Sequence, residues 1–137
     1  MIKSEIQIRF SDMDILNHVN NVVLQEYYDI GKSDYFTKVL NLPITWNERG
    51  FIAASTASSY LSEVHMTDKL MVTTKVQKLG TKSITIYQEI INTIDGEVKS
   101  FSTSILVAFD IKNHLSIVIP SSWRQDIENY EEIDKNE

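Results

Sequence analysis

One long amphipathic helix set among long strands is the pattern that most constrains this chain. Across residues 21–39, Leu24, Tyr27, Tyr28, Gly31 and Tyr35 recur at spacings of three and four, which places them on one helical face. Gly31 on that face costs roughly 1 kcal/mol of helix propensity; close approach to a sheet would offset it. Asn41-Leu42-Pro43 should end the helix, because the residue before a proline avoids helical angles. Ahead of the helix, residues 5–10 alternate Ile6, Ile8 and Phe10 against Glu5, Gln7 and Arg9, the pattern of a half-buried strand.

Four strand patterns follow. Residues 51–61 are rich in small and β-branched side chains, and Leu70, Val72, Thr74 and Val76 alternate with Met71, Thr73, Lys75 and Gln77. Residues 83–94 are rich in Ile, Thr and Tyr, and 98–109 form a long apolar and Ser/Thr run. Turn signals separate them at 65–68, at 79–82 and at Asp95-Gly96, the strongest hairpin signal in the chain. A short strand is expected at 116–119. A last helix is expected at 120–130, capped by Ser121 or Ser122, with Trp123 and Ile127 on one face. The order predicts an α+β domain, with one helix on one face of an antiparallel sheet of about five strands. A single helix leaves much of such a sheet uncovered, so a second chain is the natural cover.

The chain has 137 residues, enough for one domain with a proper core, and 42% of them are apolar and 23% charged, as in globular proteins. Residues 1–130 read as that domain. Residues 131–137 read as a frayed tail, because Asp126, Glu128, Glu131, Glu132, Asp134 and Glu137 concentrate acidity there. With no cysteine, disulfides, thiolate metal sites and a Cys nucleophile are excluded. The net charge of −6 argues against a general nucleic-acid binder, which needs basic surface. No apolar run reaches the ~20 residues of a membrane span, and Met1-Ile2-Lys3-Ser4-Glu5 does not open a signal peptide. A cytoplasmic location fits these features.

Chemistry concentrates between the first strand and the helix, in Arg9-Phe10-Ser11-Asp12-Met13-Asp14-Ile15-Leu16-Asn17-His18-Val19-Asn20-Asn21. A helix start presents unpaired N–H groups and partial positive charge, which can hold a developing oxyanion. A carboxylate in the preceding loop can face the same point. Residues of these types also serve as plain caps and turns, Asn20 or Asn21 as an N-cap and Asp12 in a turn.

The stretch resembles the signature of the hotdog-fold thioesterases, which include 4-hydroxybenzoyl-CoA thioesterase: an aromatic residue, D-x-D, a short gap, then H-V-N-N and a helix. Here these are Phe10, Asp12, Asp14 and His18-Val19-Asn20-Asn21. The element order is similar to the hotdog fold as well, a long helix wrapped by an antiparallel sheet. The resemblance implies hydrolysis of an acyl-CoA thioester, a homodimer or dimer of dimers, no cofactor, and an active site at the subunit interface. It also implies that Asp14 is the catalytic carboxylate and that the Asn21 backbone N–H points at the thioester carbonyl. The stretch is similar, too, to the D-x-N-x-H-V-N-N motif of plant acyl-ACP thioesterases, where the first Asn and the His belong to the catalytic set. Asp14 and His18 match that motif, but Leu16 stands where its Asn would be, which favours a scheme centred on Asp14.

In that scheme Asp14 is a general base for water or attacks directly. His18 and Asn17 orient water or hold Asp14, and Asn17 and Asn20 help to bind substrate. Lys78 and Lys82, beside Lys75 and the Gly80 turn, are candidates for the nucleotide phosphates; equally, they are solvated lysines that protect sheet edges. His18, His65 and His114 are too scattered in sequence to suggest a metal ligand set, so no metal is expected. The alternatives are an acyl-ACP thioesterase and a non-catalytic hotdog protein that binds acyl ligands.

Overall fold

The computed structural model describes residues 1–135. Its first strand, β1 (Ile2–Ile6), starts earlier than the alternation suggests: Ile2, Ser4 and Ile6 point inward. The strand does not reach Phe10, which is 87% exposed and opens a short 3-10 turn at Phe10–Asp12. The turn exists because Asp12 folds back, its carboxylate accepting the Arg9 backbone N–H at 2.9 Å and the Arg9 guanidinium at 3.0 Å. That local bonding outweighs the alternating pattern.

Helix α1 spans Asn21–Leu40. Asn20 caps it, the side chain accepting the Val22 N–H at 2.8 Å. Asn41 closes it in the left-handed region at φ 54°, with its own N–H bonded to the Phe36 carbonyl. The stop is thus an Asn cap two residues before Pro43, rather than Leu42 avoiding helical angles. Leu24, Tyr27, Tyr28, Gly31 and Tyr35 are all buried, as their spacing predicts. Gly31 lies hard against the sheet: an added Cβ would stand 2.6 Å from Thr74 Oγ1 and 2.8 Å from Val72 Cγ1.

The strands that follow are β2 (Arg49–Tyr60), β3 (Leu70–Leu79), β4 (Ser83–Asn92), β5 (Glu97–Asp110) and the two-residue β6 (Leu115–Ser116), shorter and earlier than expected. All pairings are antiparallel, in the order β1-β3-β4-β5-β2, with β6 added to β5. Asp95-Gly96 turns β4 into β5, with Gly96 at φ 77°. The α+β architecture of a long helix against an antiparallel sheet is that of the hotdog fold.

Two apolar clusters flank the polar layer around Gly31. One gathers Tyr35, Phe36, Phe51, Ile86, Leu106 and Trp123; the other holds Val19, Leu24, Tyr27, Val64, Val72 and Ile90. Helix α2 (Ser121–Lys135) packs on the first cluster through Trp123 and Ile127. It corrects the expected fraying from residue 131. Glu131 is buried, and its Oε1 accepts the Tyr35 hydroxyl at 2.7 Å and the Val76 N–H at 2.9 Å. Residues 136–137 lie outside the described residues. Among the described residues no helix is long and apolar enough to cross a membrane.

Candidate active site

The loop between β1 and α1 is a tight hairpin. Met13 and Val19 form a bridge, the Asp14 N–H bonds the His18 carbonyl at 2.8 Å, and the Asn17 N–H bonds the Asp14 carbonyl at 3.0 Å. Asn17 takes the left-handed conformation, φ 67°, that lets this loop close. Its place is therefore in the turn. It is exposed and lies outside the residues that line the cleft.

The two acids of D-x-D part ways here. Asp12 is 2% exposed and bonded to Arg9 and to the Tyr27 hydroxyl. Burial alone would raise its pKa, but the hydrogen bonds from Tyr27 and Arg9 outweigh this and hold it below the usual carboxylate range. Burial and the bond to Asp12 push the Tyr27 hydroxyl well above its ordinary value, so it stays protonated and donating. The Asp12 carbonyl also accepts the Asn20 N–H at 3.0 Å, which sets the start of α1.

Asp14 is half-buried and lines a cleft of about 660 Å³. Its Oδ1 accepts the Leu16 N–H at 2.9 Å and the His18 N–H at 3.4 Å. Oδ2 has no hydrogen bond among the described residues. One oxygen thus anchors the side chain and the other is left for chemistry. Asn20 and Asn21 line the same cleft. Asn20 is committed to capping, whereas the Asn21 N–H, at the first helical position, has no acceptor among the described residues. A carboxylate and the first residue of the helix therefore line one cleft, and a carboxylate beside a helix-start donor can serve acyl transfer.

His18 lines the same cleft, with its ring bonded to Glu63. Its Nε2 meets Glu63 Oε2 at 3.0 Å, while its backbone N–H serves Asp14. The facing wall comes from the end of β2 and the segment after it, Tyr60, Leu61, Ser62, Glu63, Val64 and His65, with Lys99 from β5. The sequence does not single out this wall, because residues 62–64 fall between the strand pattern of 51–61 and the turn signal at 65–68. Two of the three histidines meet in space although far apart in sequence: the rings of His18 and His65 stand 5.4 Å apart.

The expected phosphate ligands do not reach this cleft within the chain. Lys78 and Lys82 lie at the β3–β4 turn. The cleft is at the other end of β3, where Leu70 packs with Val19 and Val64, about 30 Å away at ~3.3 Å per residue. Lys99 is the lysine that lines the cleft, but it is buried beside Glu97 at 3.6 Å and Asp68 at 3.7 Å.

The site and fold define a thioesterase-type hotdog domain, and sequence comparison agrees. The thioesterase-like superfamily model matches residues 8–127, and the chain belongs to that superfamily. Long-chain acyl-CoA thioesterase FadM of Escherichia coli is 22% identical over 128 residues, covering 93% of this chain and 97% of FadM. The uncharacterized protein YsmA of Bacillus subtilis is 29% identical over 84 residues, which is 61% of this chain but only 56% of YsmA. A solved structure from Pseudomonas aeruginosa superposes with a TM-score of 0.86 at 21% identity, covering 94% of this chain and 90% of its own.

Proposed function

We propose that this protein hydrolyses acyl-CoA thioesters, with Asp14 as the reacting carboxylate and the Asn21 N–H as oxyanion donor. The observation that carries the reading is the state of Asp14, held through Oδ1 with Oδ2 free of protein partners in the cleft that Asn21 also lines. As general base, Asp14 takes a proton from water while the water oxygen bonds to the thioester carbon. The carbonyl electrons move to oxygen beside the Asn21 N–H. Collapse expels the thiolate, which needs little help because a thiol pKa is ~8.5, and the products are a carboxylic acid and a free thiol. Direct attack by Oδ2 would give a mixed anhydride that water then opens. The name of the FadM relative supports acyl-CoA as the carrier. The reading includes a cytoplasmic location, which a CoA ester substrate and the absence of cysteine suit.

The reading includes a homodimer, with a dimer of dimers as its further assembly. Support comes from β2, an edge strand of 12 residues paired on one side only to β5. Residues 52–57 are all exposed, so neither face nor the outer edge of this stretch is covered by the chain itself. Pairing with a second copy would cover it, and the wall after Tyr60 would then lie near the interface.

The test is hydrolysis of a series of acyl-CoAs, aliphatic and aromatic, followed by a thiol reagent. Release of CoA with at least one of them, lost in Asp14→Asn, is expected. A folded protein that binds acyl-CoA but releases no thiol would leave a binding protein instead.

A further inference from the structure

We infer that His18, Glu63 and His65 form a binding site for a borderline divalent cation of the Zn²⁺ class at the wall of the cleft. This rests on these three side chains alone and does not depend on the hydrolytic reading. The three come from two loops that are locked together. The Val19 N–H bonds the Val64 carbonyl at 2.9 Å, and both valines are buried. With Val19 and Val64 turned into the core, their neighbours His18, Glu63 and His65 are turned out along one wall. The backbone of His65 is fixed further by Asp68, whose carboxylate accepts its N–H at 2.9 Å.

The donor atoms are already gathered. His18 Nε2 and His65 Nε2 lie 3.0 and 3.8 Å from the same Glu63 Oε2, and one ligand atom from each residue falls within 4.8 Å of the others. Tetrahedral zinc, with bonds of ~2.0–2.2 Å to His nitrogen and carboxylate oxygen, requires donors about 3.3 Å apart. The separations of 3.0 and 3.8 Å bracket that value. Final adjustment by a small rotation is open to Glu63 and His65 because their side chains are 62% and 50% exposed. Two imidazoles and one carboxylate suit Zn²⁺, with Ni²⁺ and Cu²⁺ as stronger competitors where available, and suit Ca²⁺ or Mg²⁺ poorly, since those ions seek oxygen shells. A tetrahedral ion here would keep one position free, and the residues that hold it line the cleft of Asp14. Water or a thiolate would be the natural fourth ligand.

The full chain, prepared without a polyhistidine tag and treated with a chelator, should be titrated with Zn²⁺ by calorimetry and with Co²⁺ by visible absorption. One saturable Zn²⁺ site per chain, of micromolar affinity or tighter, and Co²⁺ bands of tetrahedral intensity are expected. His65→Ala and Glu63→Gln should each weaken binding at least ~10-fold, as loss of a ligand must where even an outer-shell partner costs that much. His114→Asn, which removes an exposed histidine far along the chain, should bind like the wild type. No saturable Zn²⁺ binding below about 100 μM, a level well short of structural zinc affinities, would overturn the inference. So would unchanged affinity in either ligand variant, or a loss in His114→Asn. Since every readout is binding, failure here is distinct from failure to hydrolyse acyl-CoA.

Discussion

The Tyr27 hydroxyl donates a 2.5 Å hydrogen bond to Asp12 Oδ2, from the second turn of the helix whose start borders the cleft. This bond sorts the two acids of D-x-D. Asp12 becomes a buried tie between the loop and α1, and Asp14, two residues on, keeps an oxygen without a protein partner. Opposite roles for neighbouring carboxylates thus follow from what each one touches.

Replacing Asp14 with Asn keeps the shape and removes the base or nucleophile. Turnover of the best acyl-CoA should fall at least ~100-fold, the scale of general-base catalysis, with the melting temperature little changed. Near-normal turnover in the folded variant would rule Asp14 out.

Asp12→Asn should act on stability. The amide presents an N–H₂ group where the carboxylate met donors, so unfolding free energy should drop by ~1–3 kcal/mol at pH 7, the cost of a spoiled buried hydrogen bond. The sign of the pH effect follows from the lowered folded pKa. The stabilisation is full above the unfolded value of about 3.9 and is lost as pH falls through the folded value. The gap between wild type and variant in denaturant melts should therefore narrow below about pH 4. A gap that is constant with pH would show that the charge of Asp12 is not what matters.

His18→Ala removes the ring bonded to Glu63 but keeps the backbone N–H that reaches Asp14. Its loss in kcat/KM should stay within roughly tenfold, the worth of one ordinary hydrogen bond. A larger loss than in Asp14→Asn would return His18 to the centre of the reaction.

The helix face and the hairpin at Asp95-Gly96 were legible because each depends on local spacing, whereas Asp14 and Asn21 were singled out by the resemblance of the D-x-D and H-V-N-N stretch. What was not legible depends on long-range contact. Glu131 looks like part of a solvated acidic tail until Tyr35 and Val76, far back in the chain, come to meet it. His65 looks like a turn residue, and Glu63 like a plain link before it, until the Val19–Val64 bond sets them against His18. Phe10 continues an alternation that Asp12 breaks by bonding back to Arg9. Lys78 and Lys82 form a basic cluster in sequence, but the length of β3 carries them away from the cleft.

Gly31→Ala tests the close approach of helix and sheet. The new methyl gains up to ~1 kcal/mol of helix propensity. It must also displace Thr74, Val72 or Gln88, whose nearest atoms lie 2.6 to 2.8 Å from the Cβ position. Overpacking of this kind costs ~1–3 kcal/mol, and the Gln88 amide would be pushed from its bonds to the Tyr28 carbonyl and Thr74 hydroxyl. A net fall in melting temperature is expected; a rise would mean that the sheet yields freely at this point.

The oligomeric state is the remaining test, and β2 makes it specific. The other sheet edge, β1, has five residues, but β2 has 12 and bears Ile52, Ala53 and Ala57 in its exposed run. A long edge strand with apolar side chains and no gatekeeping charge in that run invites pairing. The sheet face away from α1 also carries apolar groups: Ile105 is exposed, and Phe101, Val107 and Phe109 are only partly covered. Edge pairing through β2 would give the dimer, and stacking on the second face would give a dimer of dimers. Light scattering at micromolar concentration should therefore report twice or four times the chain mass of 15.8 kDa. Ala57→Lys places a charge on the edge, and two-fold pairing would carry one such charge from each copy into the seam. It should shift the population toward smaller species and reduce activity with it, since the wall from Tyr60 to His65 continues directly from β2. A wild-type monomer that hydrolyses acyl-CoA at full rate would defeat both the dimer and the shared site.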